Sequence, residues 1–114
     1  MQKPFDTQRP WGSFREFTTG EPVTVKLLFV RRGEELSLQR HIKRSEFWRI
    51  ISGTPHVIVG ENETDAHAGD EFDVPAGTEH RISASNNDVE CLEISYGMFD
   101  ENDIVREQDK YGRA

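Results

Sequence analysis

Turn-forming residues divide the chain into short β-prone runs at nearly regular intervals. Each run is rich in β-branched and aromatic residues, and Gly, Pro, Asn and Asp stand between the runs. The runs are WGSFREF (11–17), VTVKLLFV (23–30), LSLQRHI (36–42), EFWRIIS (46–52), HVIVG (56–60), DEFDVP (70–75), EHRISAS (79–85) and VECLEISYG (89–97). Many short strands at this spacing predict an all-β sandwich or barrel. Residues 100–114 depart from the pattern and are expected to form a short helical or irregular tail.

Length, charge and cysteine content limit the organisation and the partners. The 114 residues fit a single domain spanning 1–114. The formal net charge of −7 argues against nucleic acid or a membrane surface as a partner, because both attract clustered cations. Cys91 is the only cysteine and the first residues contain no apolar signal-peptide core, so we expect a reduced, cytoplasmic setting.

Four polar residues in two patches form the most informative motif. Gln39, His41 and Glu46 lie within eight residues of one another, and His80 follows a turn at 75–77. Because strand side chains alternate between faces, Gln39 and His41 point the same way. In a closed barrel the inward side chains of neighbouring strands meet near the axis. Three strands can therefore bring these four side chains to one point.

Two imidazoles, one carboxylate and one amide oxygen form a ligand set for a divalent metal ion. Such a mixture suits zinc first, with manganese, iron, cobalt or nickel as alternatives. Fewer than six protein ligands would leave positions for water or substrate, so the site could act as a Lewis acid. Each residue alone could equally be a polar strand residue that faces solvent. The four together favour the metal.

The same residues stand in a glycine frame that resembles the two cupin motifs. Gly33-x5-Gln39-x-His41-x4-Glu46-x6-Gly53 is similar to the first motif, and Gly69-x5-Pro75-x-Gly77-x2-His80 is similar to the second. In the first motif, Gln39 takes the place of the usual first histidine. The resemblance implies a small cupin-type barrel (a double-stranded β-helix, or jelly roll).

A closer resemblance covers nearly the whole chain. The segments RPWGSF (9–14), LSLQ (36–39), RSEFW (44–48), DIVR (103–106) and DKYGR (109–113) are similar to parts of the C-terminal cupin domain of type II mannose-6-phosphate isomerases. Many members also carry an N-terminal GDP-mannose pyrophosphorylase domain, so this chain resembles a stand-alone form. The resemblance implies metal ligands at Gln39, His41, Glu46 and His80, and functional importance for Glu93, Arg106 and Arg113.

The activity that this resemblance implies is the interconversion of mannose 6-phosphate and fructose 6-phosphate through a cis-enediolate. Glu93 is the leading candidate for the catalytic base, because its apolar neighbours in the last run would raise a carboxyl pKa, and Lys26 is the second candidate. The candidate phosphate-binding residues are Arg44, which the turn between the ligand strands would put at the barrel mouth, and Arg106 and Arg113 on the tail. Trp48 shares a face with Glu46 and is a candidate to stack on the sugar ring, but core packing is the stronger expectation for it.

Two other functions remain open: a different metallo-cupin enzyme, such as an oxygenase or lyase, and a non-catalytic sugar-binding cupin. The family usually has a histidine directly after the motif glutamate, where this chain has Phe47. If that histidine handles protons, its loss favours a non-catalytic role. Strand alternation instead puts Phe47 outside the barrel, where little would be lost. By analogy with other cupins we expect a homodimer that binds a small-molecule sugar phosphate.

Overall fold

A computed structural model describes residues 3–97 and 99–113, and these residues form strands and turns with no helix among them. The strands are β1 (Phe5–Arg9), β2 (Gly12–Glu16), β3 (Val23–Val30), β4 (Leu38–Arg40), β5 (Ser45–Ser52), β6 (His56–Val59), β7 (Asn62–Asp65), β8 (Glu71–Val74), β9 (His80–Ser83), β10 (Val89–Tyr96) and β11 (Val105–Gln108). The predicted all-β fold is confirmed. The described residues therefore contain no helix long and apolar enough to cross a membrane.

The tail was predicted as helical or irregular: the described residues contain no helix there and are irregular except for one strand, and Ala114 lies outside them. Val105–Gln108 form β11, which pairs antiparallel with β4. The sequence pattern also did not predict β1 or the wholly exposed β7. β7 and β11 are the two edges of one sheet, and β1 pairs only with β2. Edge strands take their hydrogen bonds from one neighbour and need no buried face, so their sequences carry little apolar alternation.

Two antiparallel sheets form the walls of the barrel. One has the order β3-β10-β5-β8, and the other has the order β11-β4-β9-β6-β7. The main core lies between them and includes Trp48, Ile50, Val57, Ile82 and Cys91, all at 0% exposure. Removal of this apolar surface from water is the main force that holds the two sheets together. The core fills one end of the interior and leaves the other end to polar side chains.

A second apolar cluster lies on the outer side of the first sheet. Phe47, Ile94 and Tyr96 are buried there against Phe17 and Val23. The chain between β2 and β3 crosses this face, and the rings of Phe17 and Phe47 lie 5.7 Å apart. Phe47 therefore lies on the opposite side of β5 from Glu46, outside the barrel.

Gly53, between β5 and β6, has a positive φ of 87°, and a β-carbon added there would collide with the carbonyl oxygen of Asp88. We expect Gly53→Ala to lower the free energy of unfolding by about 3 kcal/mol, from backbone strain plus overlap. Gly33 has a similar φ of 84° with open space around it, so Gly33→Ala should cost about 1 kcal/mol. Urea unfolding of both variants measures the difference, and equal losses would contradict the steric explanation.

Candidate metal centre

Three buried side chains from different strands converge at the polar end of the barrel. His41 directly follows β4, Glu46 lies near the start of β5, and His80 begins β9. Glu46 Oε1 lies 3.4 Å from His41 Nε2 and 3.3 Å from His80 Nε2. All three residues are at most 3% exposed. Their candidate ligand atoms lie within 4.8 Å of one another, which is the compactness that a single ion requires.

Backbone carbonyls fix the tautomers of both histidines. His41 Nδ1 lies 2.6 Å from the Asp103 carbonyl oxygen, and His80 Nδ1 lies 2.9 Å from that of Thr78. A carbonyl oxygen can only accept, so each Nδ1 donates its proton and each Nε2 presents a lone pair to the centre. Metal-binding histidines are commonly oriented by such a bond to the second ring nitrogen.

The centre contains buried acceptors that lack donors. Among the described residues, Glu46 Oε1 and His80 Nε2 have no hydrogen-bond partner. Burial by itself raises the pKa of Glu46, whereas positive charge on the facing imidazoles lowers that pKa well below its ordinary value, so the buried carboxylate needs positive charge at this point. An ionised carboxylate oxygen beside two imidazole lone pairs is expensive to bury unless a cation joins them. The residues therefore fit a divalent metal with nitrogen and oxygen ligands.

Gln39 shares the face of the cluster. It pairs with His80 across the β4–β9 ladder, and paired residues in neighbouring strands point to the same side of a sheet. Its Oε1 accepts a hydrogen bond of 2.8 Å from Ser37 Oγ and keeps a second lone pair. Gln39 lines the same cavity as His41 and Glu46, so it is placed to act as a fourth ligand.

Arg44 lies inside the site, although the sequence suggested a position at the barrel mouth. The residue is only 8% exposed. Its Nη2 donates to His41 Nε2 over 3.2 Å, and its Nε donates to Glu46 Oε2 over 3.3 Å. Ser95 Oγ donates to the same Glu46 oxygen over 3.0 Å. Arg44 thus balances the carboxylate charge from the cavity side and leaves Oε1 facing the histidines.

Glu93 lies two residues before Ser95 on β10 and faces the interior. It stands opposite Lys26 on one side and Trp48 on the other, and Trp48 Nε1 donates to its Oε2 over 3.1 Å. Burial, and next the negative charge of Glu46, raise the pKa of Glu93 above its ordinary value. A carboxyl group of raised pKa beside a charged cluster is a recurring property of catalytic sites.

Trp48 does not line the cavity but packs in the core, which was the stronger of the two expectations for it; stacking on a sugar ring was the weaker one. Its side chain is 0% exposed and meets the His80 ring edge-on, at 5.2 Å between centroids. Together with its hydrogen bond to Glu93, this contact makes Trp48 a support for two polar side chains. Strand alternation gave its face correctly, but Trp48 lies deeper along β5 than Glu46.

One cavity of about 580 Å³ joins these groups. Three aliphatic side chains, Leu28, Leu36 and Ile104, line it, and its other walls are polar or aromatic. Its lining residues are Lys26, Leu28, Leu36, Gln39, His41, Arg44, Glu46, Glu93, Phe99, Glu101, Asn102, Ile104 and Arg106. The Arg106 Nε is buried with no hydrogen-bond partner in the described chain. The cavity can hold a small polar molecule that meets cations on several sides.

Arg113 is not part of this cavity, contrary to the expectation for the tail. It donates to both carboxylate oxygens of Asp109 and lines a separate cavity of about 350 Å³ with Tyr111. The tail turns away after β11, because Lys110 donates to the Gly33 carbonyl oxygen and Tyr111 bonds to Glu34. These contacts dock the tail on the turn between β3 and β4.

Asp103 and Phe99 are two site residues that sequence reasoning missed. The Asp103 carboxylate accepts hydrogen bonds from the backbone nitrogens of Ile42 and Lys43, and its carbonyl oxygen accepts from His41. These contacts join residues about sixty positions apart, so no local pattern could indicate them. The only sequence signal for Asp103 was its place in the DIVR segment (103–106), which is one of the segments that carry the family resemblance. Phe99 lies against Lys26 and Arg44.

The fold and the buried His–Glu–His cluster define a cupin with a candidate metal centre. The family described as mannose-6-phosphate isomerase C-terminal matches residues 1–109, and the chain belongs to this family. Curated relatives include the xanthan biosynthesis protein XanB of Xanthomonas campestris, 36% identical over 93% of this chain and 23% of that protein. The alginate biosynthesis protein AlgA of Pseudomonas putida is 34% identical over 99% of this chain and 24% of that protein. The chain thus spans about a quarter of the length of these relatives.

Solved structures share the fold. Oxalate decarboxylase from Bacillus subtilis aligns with a TM-score of 0.69 and 25% identity over 76% of this chain and 24% of that chain. A cupin protein from Bacteroides fragilis aligns with a TM-score of 0.59 and 20% identity over 68% of this chain and 70% of that chain. At these identities the likeness supports the cupin fold and no particular reaction.

If His80 is a ligand, His80→Ala should lower metal affinity by at least about 100-fold, since it removes one of few protein ligands. His56→Ala is the control, because His56 lies at the surface, bonded to Asp65 and Glu63. Both proteins are loaded with zinc, dialysed against a competing chelator and assayed for metal by mass spectrometry. Retention of one zinc per chain by His80→Ala would contradict the ligand assignment.

Proposed function

We propose that the chain is a metal-dependent aldose–ketose isomerase that interconverts mannose 6-phosphate and fructose 6-phosphate. The observation that carries the proposal is a single cavity lined by His41 and Glu46 of the candidate metal cluster, by the buried Glu93 carboxyl group of raised pKa and by several cations. The family description, which names mannose-6-phosphate isomerase, supports this substrate class. Some relatives are named mannose-1-phosphate guanylyltransferases, and that activity is not assigned to this chain.

The reaction moves a proton between C1 and C2 of the sugar through a cis-enediolate, so it needs a base and a way to stabilise oxyanion charge. A divalent ion held by His41, Glu46 and His80, with Gln39 as a further ligand, would supply that stabilisation as a Lewis acid. Zinc is the first choice for this donor set, and its identity stays a prediction. The cytoplasmic location also stays a prediction.

Glu93 is the group that we assign as the base. Its raised pKa brings its proton affinity closer to that needed for transfer at neutral pH. The hydrogen bond from Trp48 Nε1 fixes one carboxylate oxygen, which limits the orientations of the side chain. Lys26 stands directly across from Glu93 on β3 and faces the same cavity. An ammonium group there can donate to a sugar oxygen as charge develops on it.

The phosphate is assigned to the cavity cations. Arg106, on β11, belongs to the sheet opposite Glu93's strand, Arg44 lies in the turn before β5, and Lys26 lies on β3; all three line the cavity. A guanidinium offers two parallel donors to a phosphate group, which suits Arg106 in particular, because its buried Nε lacks a partner in the described chain. A non-catalytic sugar-binding cupin would use the same cations, so Glu93 separates the two functions.

Glu93→Gln keeps the size of the side chain and removes its basicity. We expect it to slow hydrogen exchange at C1 and C2 of fructose 6-phosphate by about 1,000-fold, with metal content unchanged. NMR in deuterated water measures the exchange. Glu90→Gln is the matched control on the outer face of the same strand.

Full exchange activity in Glu93→Gln would remove the base assignment. A metal-loaded wild-type protein that binds the sugar phosphate without exchange would favour the sugar-binding alternative. A wild-type protein with neither binding nor exchange would overturn the isomerase proposal.

The predicted homodimer has a candidate surface. Val25, Leu27 and Phe29 on the outer face of β3 are 56%, 64% and 63% exposed. At the other edge of that sheet, the β1–β2 hairpin is tied to β8 by Arg15 and Glu71 and exposes Trp11. An isolated hairpin is only marginally stable in water, and an apolar strip on an edge strand attracts a partner. We propose that the β3 strip of one copy packs against the β1–β2 hairpin of a second copy. Because each chain carries both the strip and the hairpin, two copies can form these contacts twice in a two-fold symmetric dimer.

Leu27→Asp places a charge in the middle of this strip and should convert the dimer to a monomer at micromolar concentration. Thr64→Asp, on the exposed edge strand of the other sheet, should leave the dimer intact. Sedimentation velocity of both variants gives the oligomeric state. A monomeric wild type, or a dimeric Leu27→Asp, would contradict the assigned surface.

A further inference from the structure

Phe99 contacts two cations of the cavity at once. Its ring centroid lies 4.2 Å from Lys26 Nζ and 4.5 Å from Arg44 Cζ. Lys26 comes from β3 and Arg44 from the turn before β5, so only the ring joins them. Each distance is well inside the range in which a cation is attracted to an aromatic face.

The two cations depend on this ring to different degrees. Arg44 is also held by Glu46, by His41 and by the Asp100 carbonyl oxygen, at 3.0 Å from Nη1. Lys26, in contrast, forms no ion pair or hydrogen bond with any residue that the structure describes; besides the ring, it interacts with the charge of Glu93, which stands opposite it on β10. A flexible four-carbon side chain without a hydrogen bond has little to keep its orientation once the ring contact is removed. Phe99 therefore has its largest effect on Lys26.

The ring itself is held in place by its neighbours in the chain. Asp100 accepts the hydrogen bond from Arg44, and Asp103 binds the backbone of the turn at Ile42 and Lys43. The segment 99–103 is thus attached to the same turn that carries Arg44. The position of this segment relative to His41 and Glu46 is thus fixed, and Phe99 can transmit that position to Lys26 on β3, the edge strand of the sheet that contains β5.

We propose that Phe99 is a positioning residue for ligand binding: its ring holds the Lys26 ammonium and the Arg44 guanidinium toward the cavity, where they bind an anionic group of the ligand. The identity of the ligand as a sugar phosphate rests on the proposed function, but the positioning of the cations does not. The alternative role for Phe99 is an apolar cover that excludes water. Substitutions that keep or remove the aromatic face distinguish the two roles.

The test uses inorganic phosphate as the probe and zinc-loaded full-length protein. Phe99→Leu keeps an apolar side chain and removes the ring, so we expect it to weaken phosphate binding by about fivefold in calorimetry. Phe99→Tyr keeps the ring and should stay within about twofold of the wild type. Phe29→Leu is the control, because Phe29 is an exposed aromatic residue on the outer face of β3 and does not line this cavity.

A double-mutant cycle locates the effect. In a Lys26→Met background, Phe99→Leu should weaken phosphate binding by clearly less than it does alone, because the shared partner is gone. Metal content should be equal in all variants, and in the active enzyme the loss should appear in KM more than in kcat. A cover role predicts equal behaviour of the Leu and Tyr variants and full additivity with Lys26→Met. Either result, or a wild type that does not bind phosphate, would overturn the proposal.

The outcomes separate this proposal from the proposed isomerase function. Hydrogen exchange by the wild type together with unchanged phosphate affinity in Phe99→Leu would overturn the positioning role and leave the isomerase intact. Absence of exchange by the wild type, together with the expected loss of phosphate affinity in Phe99→Leu, would overturn the isomerase function and leave the positioning role of Phe99 intact.

Discussion

The burial of the Glu46 carboxylate is the constraint on which the polar half of the barrel depends. A carboxylate at 1% exposure must receive compensating partners, since its hydration is lost. Ser95 from β10 and Arg44 from the turn before β5 donate to Oε2, and Oε1 faces His41 and His80 from the other side of the barrel, where a cation would complete the compensation. The two sheets therefore meet through this one charge at the open end, whereas apolar packing joins them at the other end.

The tail is part of the site because of the orientation of His41. Its Nδ1 is bound by the Asp103 carbonyl oxygen, and β11 follows two residues later to pair with β4. One C-terminal segment thus makes both contacts: its Asp103 orients His41, and its strand β11 pairs with β4, which carries Gln39. The direction of the His41 imidazole lone pair therefore depends on the C-terminal segment being folded against β4. The orientation of the candidate ligands therefore depends on contacts with residues that are not ligands themselves.

Alternation along strands predicted the face of most site residues but not their depth. Gln39, His41, Glu46 and His80 turn inward, and Phe47 turns outward against Phe17. Trp48 and Glu46 share a face, yet one supports the core and the other reaches the cavity, because the barrel is filled at one end only. The positions of Arg44 and Arg113 were not predictable, since turns and tails have no period. Their places depend on contacts with Glu46 and Asp109 that form only in the folded chain.

The two interior carboxyl groups are driven in opposite directions by the same neighbourhood. Glu46 faces two imidazoles, whose hydrogen bonds and positive charge lower its pKa despite burial. Glu93 is buried near the negative charge of Glu46, and its pKa rises. Two carboxyl groups whose pKa values are pushed apart take different roles: one stays ionised and can hold a cation, and the other can exchange a proton. Reversal of the roles would need the imidazoles to move from Glu46 to Glu93, which the strand register forbids, because Glu93 stands opposite Lys26 and Trp48.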